Sequence, residues 1–126
     1  MKMKPGEEIP TLTKTASMPI NPNSNNVIHT DDAKKFGMRG ALVAGSILLS
    51  YILEMLYNYF GKNWLSFGKI SVSFIGGGAI NGDVVTAHGL VKSIEREGTD
   101  TRLYLDIWME NQMGVKIVTG NANCIQ

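Results

Sequence analysis

The residues best suited to chemistry lie in the stretch NVIHTDD at 26–32 and in the small-residue step Val43-Ala44-Gly45. An imidazole such as that of His29 can accept or donate a proton near neutral pH. A glycine in the first turns of a helix lets a ligand approach the backbone amides closely, where the helix dipole favours negative charge. Together, the two segments indicate a proton-transfer group beside an anion site.

Two predicted helices must hold these residues in place. Thr30-Asp31-Asp32 is a helix-start signal, and the short helix that it opens should stop near Gly37 or Gly40. A long helix is predicted from about 41 to 59, closed by Gly61. It is apolar except for one stripe at every fourth position, formed by Ser46, Ser50, Glu54 and Asn58.

The rest of the chain predicts a sheet that wraps this helix. Strands are expected at 65–75, 84–94, 101–110 and about 115–125, separated by turn signals. Residues 7–14 are a further candidate that Pro10 would confine to an edge. The pattern predicts an α+β architecture, one domain spanning 1–126, with a long central helix against a curved antiparallel sheet.

Composition excludes several functional classes. The net charge is +1, with no basic stripe, so we expect no nucleic-acid partner. The apolar run at 41–60 is interrupted by Glu54, and a buried helix is a better interpretation of it than a membrane span. Cys124 is the single cysteine, and no Cys/His cluster has zinc spacing, so we expect no metal or cofactor. With no secretory signal pattern at the N-terminus, a cytoplasmic protein is expected.

This order of elements resembles the hotdog fold and, more narrowly, the MaoC-like dehydratases, which include the (R)-specific enoyl-CoA hydratases. That group carries a pattern of roughly Asp-x-Asn-Pro-(Ile/Leu)-His-x-Asp, followed by a glycine at the start of the central helix. The positions of this chain that match are Asn26, Ile28, His29, Asp31, Gly45, the pair Gly82-Asp83, and Gly120 with Ala122.

The chain also departs from the family pattern. The family's catalytic Asp falls on Ser24, its Pro on Val27, and its usual His before the helix glycine on Ala44. An Arg-Pro region is replaced by the glycine run at 76–78. A serine hydroxyl cannot act as a carboxylate base without a partner, so what replaces the family Asp is left open by the sequence.

The resemblance implies syn addition of water to an enoyl thioester, or the reverse dehydration of a 3-hydroxyacyl thioester. His29 would be the acid and base, and the Gly45 amide would hold the thioester oxygen. Asn26 and Ser24 would position water or substrate. We expect further substrate contacts from Ala44, Ser46, Gly76 and Gly77. The resemblance also implies an acyl-CoA or acyl-carrier-protein substrate and a homodimer or larger homo-oligomer.

Alternatives remain at this point. The catalytic carboxylate could come from Asp31, Asp32 or Glu54. Some hotdog thioesterases use an acid of the central helix to attack the thioester or to activate water there, and Glu54 could have that role. The chain could be a diverged thioesterase or a cyclase of a biosynthetic pathway. It could also be a non-catalytic subunit that shapes an acyl tunnel for a catalytic partner. His88 has no motif around it and is expected at a surface or an interface.

Overall fold

The long helix lies against one face of a five-stranded antiparallel sheet in the computed structural model, which describes residues 3–20 and 26–126. Two short 3-10 helices precede it, and a second α-helix follows it directly. The strands stand in the order β1-β3-β4-β5-β2. In chain order the elements are β1 (Glu8–Thr15), the 3-10 helices (Val27–His29 and Asp31–Phe36), α1 (Gly45–Phe60), α2 (Lys62–Phe67), β2 (Lys69–Phe74), β3 (Val84–Glu97), β4 (Asp100–Glu110) and β5 (Lys116–Ile125).

The sheet follows the period-two pattern of the sequence. Alternate residues of β4 bury their side chains against α1, as predicted. The helix contributes its own apolar residues to this core, and the four positions of the predicted polar stripe are all exposed. The α+β prediction is therefore confirmed. The core residues of β4 and α1 are Leu103, Leu105, Ile107, Met109, Leu48, Ile52, Met55 and Leu56.

A fifth strand joins the four predicted ones, and the first of those four, β2, pairs with β5 at the opposite edge of the sheet. β1 pairs with β3 at the edge of the sheet, and its register shifts between Ile9 and Leu12. Pro10 lies within that shift, where the β1–β3 ladder does not need a backbone N–H from it. The expectation that this proline confines the strand to an edge is confirmed.

The central helix begins later than expected, at Gly45 instead of about residue 41. The preceding residues are extended because their amides bond elsewhere. The Leu42 amide donates to the Ile28 carbonyl and the Val43 amide to the Ala79 carbonyl, both at 2.7 Å. These bonds fix the approach to the helix and place Gly45 at its first position.

The segment predicted as the start of a strand at 65 is instead the helix α2. Gly61 has a φ of +62°, a conformation that favours glycine, and it separates α1 from α2. The buried Trp64 stacks on Phe60 with ring centroids 6.1 Å apart. This aromatic contact holds the turn as a helix, and the alternating pattern takes effect only from Lys69. No helix of the described residues is long and apolar enough to cross a membrane.

Candidate functional site

Two local caps hold the loop that carries His29. The Asn26 side chain accepts a hydrogen bond from the Ile28 amide at 3.3 Å and caps the first 3-10 helix. Thr30 donates to the Val27 carbonyl at 2.7 Å and caps the second helix through the Asp32 amide. Asn and Thr are both favoured at such positions. His29 is thus the last residue of a short, doubly capped turn.

The His29 ring is fixed to the segment that leads into α1. Its Nδ1 lies 2.8 Å from the Leu42 carbonyl oxygen. A carbonyl can only accept, so Nδ1 must carry the proton. In the neutral ring Nε2 then holds the lone pair, and no atom of the described residues engages it. This arrangement leaves Nε2 as a proton acceptor.

The N-terminus of α1 lacks a side-chain cap. Ala44 occupies the cap position without a capping hydrogen bond, and its own amide donates to the Met18 sulfur at 3.3 Å. The Gly45 and Ser46 amides donate to no acceptor in the part of the chain that the structure describes. Unpaired amides at a helix N-terminus favour an anion or a carbonyl oxygen that develops negative charge.

A cavity of about 250 Å³ brings His29 and Gly45 together. Its walls are otherwise apolar, and the imidazole is the one titratable side chain among them. It combines an apolar chamber, a possible proton acceptor and unpaired helix amides, the elements that chemistry on an acyl carbonyl group requires. The lining residues are Ile28, His29, Leu42, Val43, Gly45, Leu48, Phe74, Gly78 and Ile117.

Phe74, at the end of β2, packs directly on Gly45. A Cβ built on Gly45 would lie 2.8 Å from the Phe74 Cζ and 3.0 Å from both Cε atoms. A larger residue at 45 would therefore force the Phe74 ring to move. The sequence predicted a strand at 65–75, but the strand pattern gave no sign that the Phe74 ring would lie against the start of the helix. Ile117 and Gly78 were missed for the same reason.

The other predicted site residues that the structure describes lie outside the lining of this cavity. Asn26 is exposed at its capping position, and Ser46 is exposed on the helix. Gly76 and Gly77 are exposed, so Gly78 is the member of the glycine run that reaches the cavity. Ala44 precedes Gly45 without lining the wall. Ser24 lies outside the described residues.

None of the three candidate carboxylates lines the cavity. Glu54 pairs with Lys14 at 3.0 Å across the exposed helix face. Asp32 pairs with Lys35 at 3.2 Å, and Asp31 lies in a separate depression beside Arg39. These positions are typical of surface charges. No three metal-ligating side chains cluster within residues 3–20 and 26–126.

A buried carboxylate, that of Asp83, stabilises the chain segment next to the site. Asp83 accepts two hydrogen bonds from Arg39, at 2.6 and 3.2 Å, and one each from the Gln112 side chain and the Ile80 amide. Burial opposes its ionisation, but the hydrogen bonds and the positive charge of Arg39 prevail and lower the pKa of Asp83 to about 2. Ile80 in turn bridges to Leu42, so the Gly-Asp motif stabilises the segment that holds His29.

His88 faces the opposite side of the sheet from α1. Its ring nitrogens lie 3.1 Å from a Glu8 oxygen and 2.9 Å from a Glu110 oxygen. The ring stacks on Trp108 with centroids 4.9 Å apart. This histidine belongs to a cross-strand cluster and does not contact the cavity.

The fold matches solved hotdog proteins over almost the whole chain. The (R)-hydratase of A. caviae involved in PHA biosynthesis superposes with a TM-score of 0.68 at 22% identity, covering 97% of this chain and 96% of that one. The MaoC-like dehydratase of Rhodospirillum rubrum gives 0.68 at 10% identity, with 98% and 92% covered. The ChsH1-ChsH2 complex of Mycobacterium tuberculosis gives 0.71 at 15% identity, with 99% of each chain covered.

These likenesses confirm the hotdog fold and the predicted resemblance to MaoC-like dehydratases and (R)-hydratases. Their identities are all below 25%, so they define the architecture and leave the activity to be argued from the site. No protein-family model matches the chain, and no curated protein matches it either.

Proposed function

We propose that this protein is a hydratase or dehydratase that acts on an enoyl or 3-hydroxyacyl thioester. The observation that carries the proposal is the cavity shared by His29 and Gly45, with Nδ1 of the imidazole committed to the Leu42 carbonyl. Hydration of a conjugated thioester needs a base for water and donors for the enolate oxygen. In this proposal His29 supplies the base and the Gly45 amide supplies the donor, and both residues line the cavity.

The proposed reaction uses a single imidazole for both proton transfers. Nε2 of His29 takes a proton from water as the water oxygen bonds to the β-carbon of the enoyl group. The electron pair of the double bond moves toward the carbonyl, and the resulting enolate oxygen accepts a hydrogen bond from the Gly45 N–H. The imidazolium then returns its proton to the α-carbon, which gives the 3-hydroxyacyl thioester and regenerates the base. Ser24 and Asn26 stay candidates for positioning water.

The size and polarity of the cavity favour a short acyl group. At about 250 Å³ it lies below the range of roughly 300–1,000 Å³ that is typical of drug-sized ligands. Its apolar walls suit a hydrocarbon chain, while the carrier, a CoA or an acyl-carrier-protein arm, would remain outside. The proposal includes a homo-oligomer in the cytoplasm, where acyl thioesters of this kind would be met.

The decisive experiment incubates the purified chain with crotonyl-CoA and follows the loss of enoyl absorbance. The chain has two histidines, which offer a matched pair of variants. His29→Gln should lower kcat/KM by at least about 100-fold, the range for loss of a general base. His88→Gln should stay close to the parent. Full activity in His29→Gln, or no hydration by the parent chain, would reject the proposal.

A second candidate function, that of a non-catalytic subunit, is also supported by a specific observation. No carboxylate lines the cavity within the described residues, and one similar structure is a complex of two named chains. The chain could therefore shape an acyl tunnel for a catalytic partner. No turnover alone, followed by turnover after a related hotdog subunit is added, would favour this alternative.

A further inference from the structure

We infer that Phe74 sets the specificity of the cavity at the α-carbon of the acyl group and selects against acyl thioesters branched at that carbon. This inference rests on the proposed function, because it takes the Gly45 amide as the site of the thioester oxygen. It concerns a residue outside the proton-transfer machinery.

The position of the ring carries the argument. The tip of Phe74 faces the first residue of α1 so closely that no Cβ fits between them. The unpaired amides of Gly45 and Ser46 begin at this point. A carbonyl oxygen bound to the Gly45 amide places its own carbon and the adjacent α-carbon beside Gly45, within two bonds of that oxygen. The atoms next to the ring tip are therefore those around the α-carbon.

Leu42 and Gly78 form the neighbouring wall of the cavity. Leu42 and Gly78 lie close to each other, since a Cβ on Gly78 would stand 3.6 Å from both Leu42 methyl carbons. His29 is tied to the Leu42 carbonyl on the same side. An unbranched acyl group can enter past the ring, but a methyl branch on the α-carbon would require the space that the ring occupies. Leu48 and Ile117 also line the cavity and would contact the acyl chain beyond the α-carbon.

The surroundings of Phe74 make it a wall that can be altered without removing the core. Its side chain is 53% exposed, and it ends an edge strand that, among the residues the structure describes, pairs with β5 alone. Phe67 is a matched control, since it is 49% exposed and does not line the cavity. Truncation of either ring removes a similar area of half-exposed surface, but only one of the two rings faces Gly45.

The test uses two isomeric probes, butanoyl-CoA and 2-methylpropanoyl-CoA, which have the same atoms but carry one methyl group at the end of the chain or on the α-carbon. Calorimetric titration of the parent chain should show at least about 10-fold tighter binding of butanoyl-CoA, the discrimination typical of one misplaced methyl group. Phe74→Ala should reduce this ratio to less than about threefold, and Phe74→Leu should give an intermediate ratio. Phe67→Ala should leave the ratio unchanged.

The outcomes separate this inference from the proposed function. Equal binding of the two probes by the parent, binding of neither, or a ratio that survives both Phe74 variants would overturn the inference. An equal loss of discrimination in Phe67→Ala would overturn it as well. Crotonyl-CoA turnover without discrimination would leave the proposed function standing alone. Discrimination without turnover would support the role of Phe74 and reject hydration.

Discussion

The Nδ1 atom of His29 lies 2.8 Å from the backbone carbonyl of Leu42, while the Leu42 amide donates to the carbonyl of Ile28 at 2.7 Å. The backbone of Leu42 thus forms hydrogen bonds with both the imidazole and the turn that carries it. Since Leu42 lies three residues before Gly45, these two hydrogen bonds fix the position of the His29 ring relative to the start of the helix. Among the described residues, the Leu42 carbonyl is the partner of Nδ1, and no side chain contributes a hydrogen bond to the ring.

The hydrogen bond between His29 and the Leu42 carbonyl predicts the tautomer of His29. At a pH where the imidazole is neutral, its proton should reside on Nδ1, because the Leu42 carbonyl can only accept. Nitrogen-15 NMR of the two histidines measures this directly, and His88→Gln identifies the remaining signals. A ring protonated on Nε2, or two tautomers in exchange, would contradict the hydrogen bond and leave His29 without a defined base.

Gly45→Ala should destabilise the protein by about 1–3 kcal/mol, the range for overpacking, because the new methyl group meets the Phe74 ring. The cost should shrink in the Phe74→Ala background, where the obstacle is absent. Gly77→Ala is the control, since no heavy atom lies within 4 Å of a Cβ there, and it should stay within about 1 kcal/mol of the parent. Urea unfolding measures all four variants, and strictly additive costs would refute the contact.

Asp83→Asn should lower the free energy of unfolding at neutral pH by about 2 kcal/mol, the value of a pKa held near 2 instead of 3.8. A lowered carboxyl pKa stabilises the fold above about pH 4, and this contribution is lost as the pH falls through 2. The difference between parent and variant should therefore shrink with acidification over that interval. Asp32→Asn removes an exposed pair and should change stability by less than about 0.5 kcal/mol. A constant difference at every pH would contradict the assignment.

Glu54→Gln should leave crotonyl-CoA hydration within about twofold of the parent. The Glu54 carboxylate lies on the exposed stripe, paired with Lys14, and it does not line the cavity. The same samples are assayed for release of free thiol from an acyl-CoA. Thiol release by the parent that disappears in Glu54→Gln would favour a thioesterase that uses the central-helix acid.

Much of the architecture could be predicted from patterns that local physics enforces. The alternation from Leu103 to Met109 defined a buried strand face, because successive side chains point to opposite sides of a strand. The four-residue repeat of polar residues on α1 identified its exposed stripe. Pro10 restricted β1 to an edge because it lacks an N–H. Each feature depends on spacing within one element.

The start of α1 and the nature of residues 62–67 could not be obtained in this way. Helix propensity favours a start at Ala41, but the amides of Leu42 and Val43 find acceptors in distant loops, and tertiary hydrogen bonds override propensity. Trp64 is part of a short helix because it stacks on Phe60. A partner that is remote or placed by a turn cannot be recognised from local composition.

For the site itself, the sequence determined the types of residue: an imidazole in a capped turn and a glycine at a helix start. Tertiary structure decided which of them share a cavity, and it brought Phe74, Gly78 and Ile117 into the same wall while leaving Asn26, Ser46, Gly76 and Gly77 outside it. The reason is physical. Residue type and helix caps follow from neighbours along the chain, whereas the enclosure of a cavity depends on how strands from distant segments cross the helix, and side-chain spacing carries no record of that crossing.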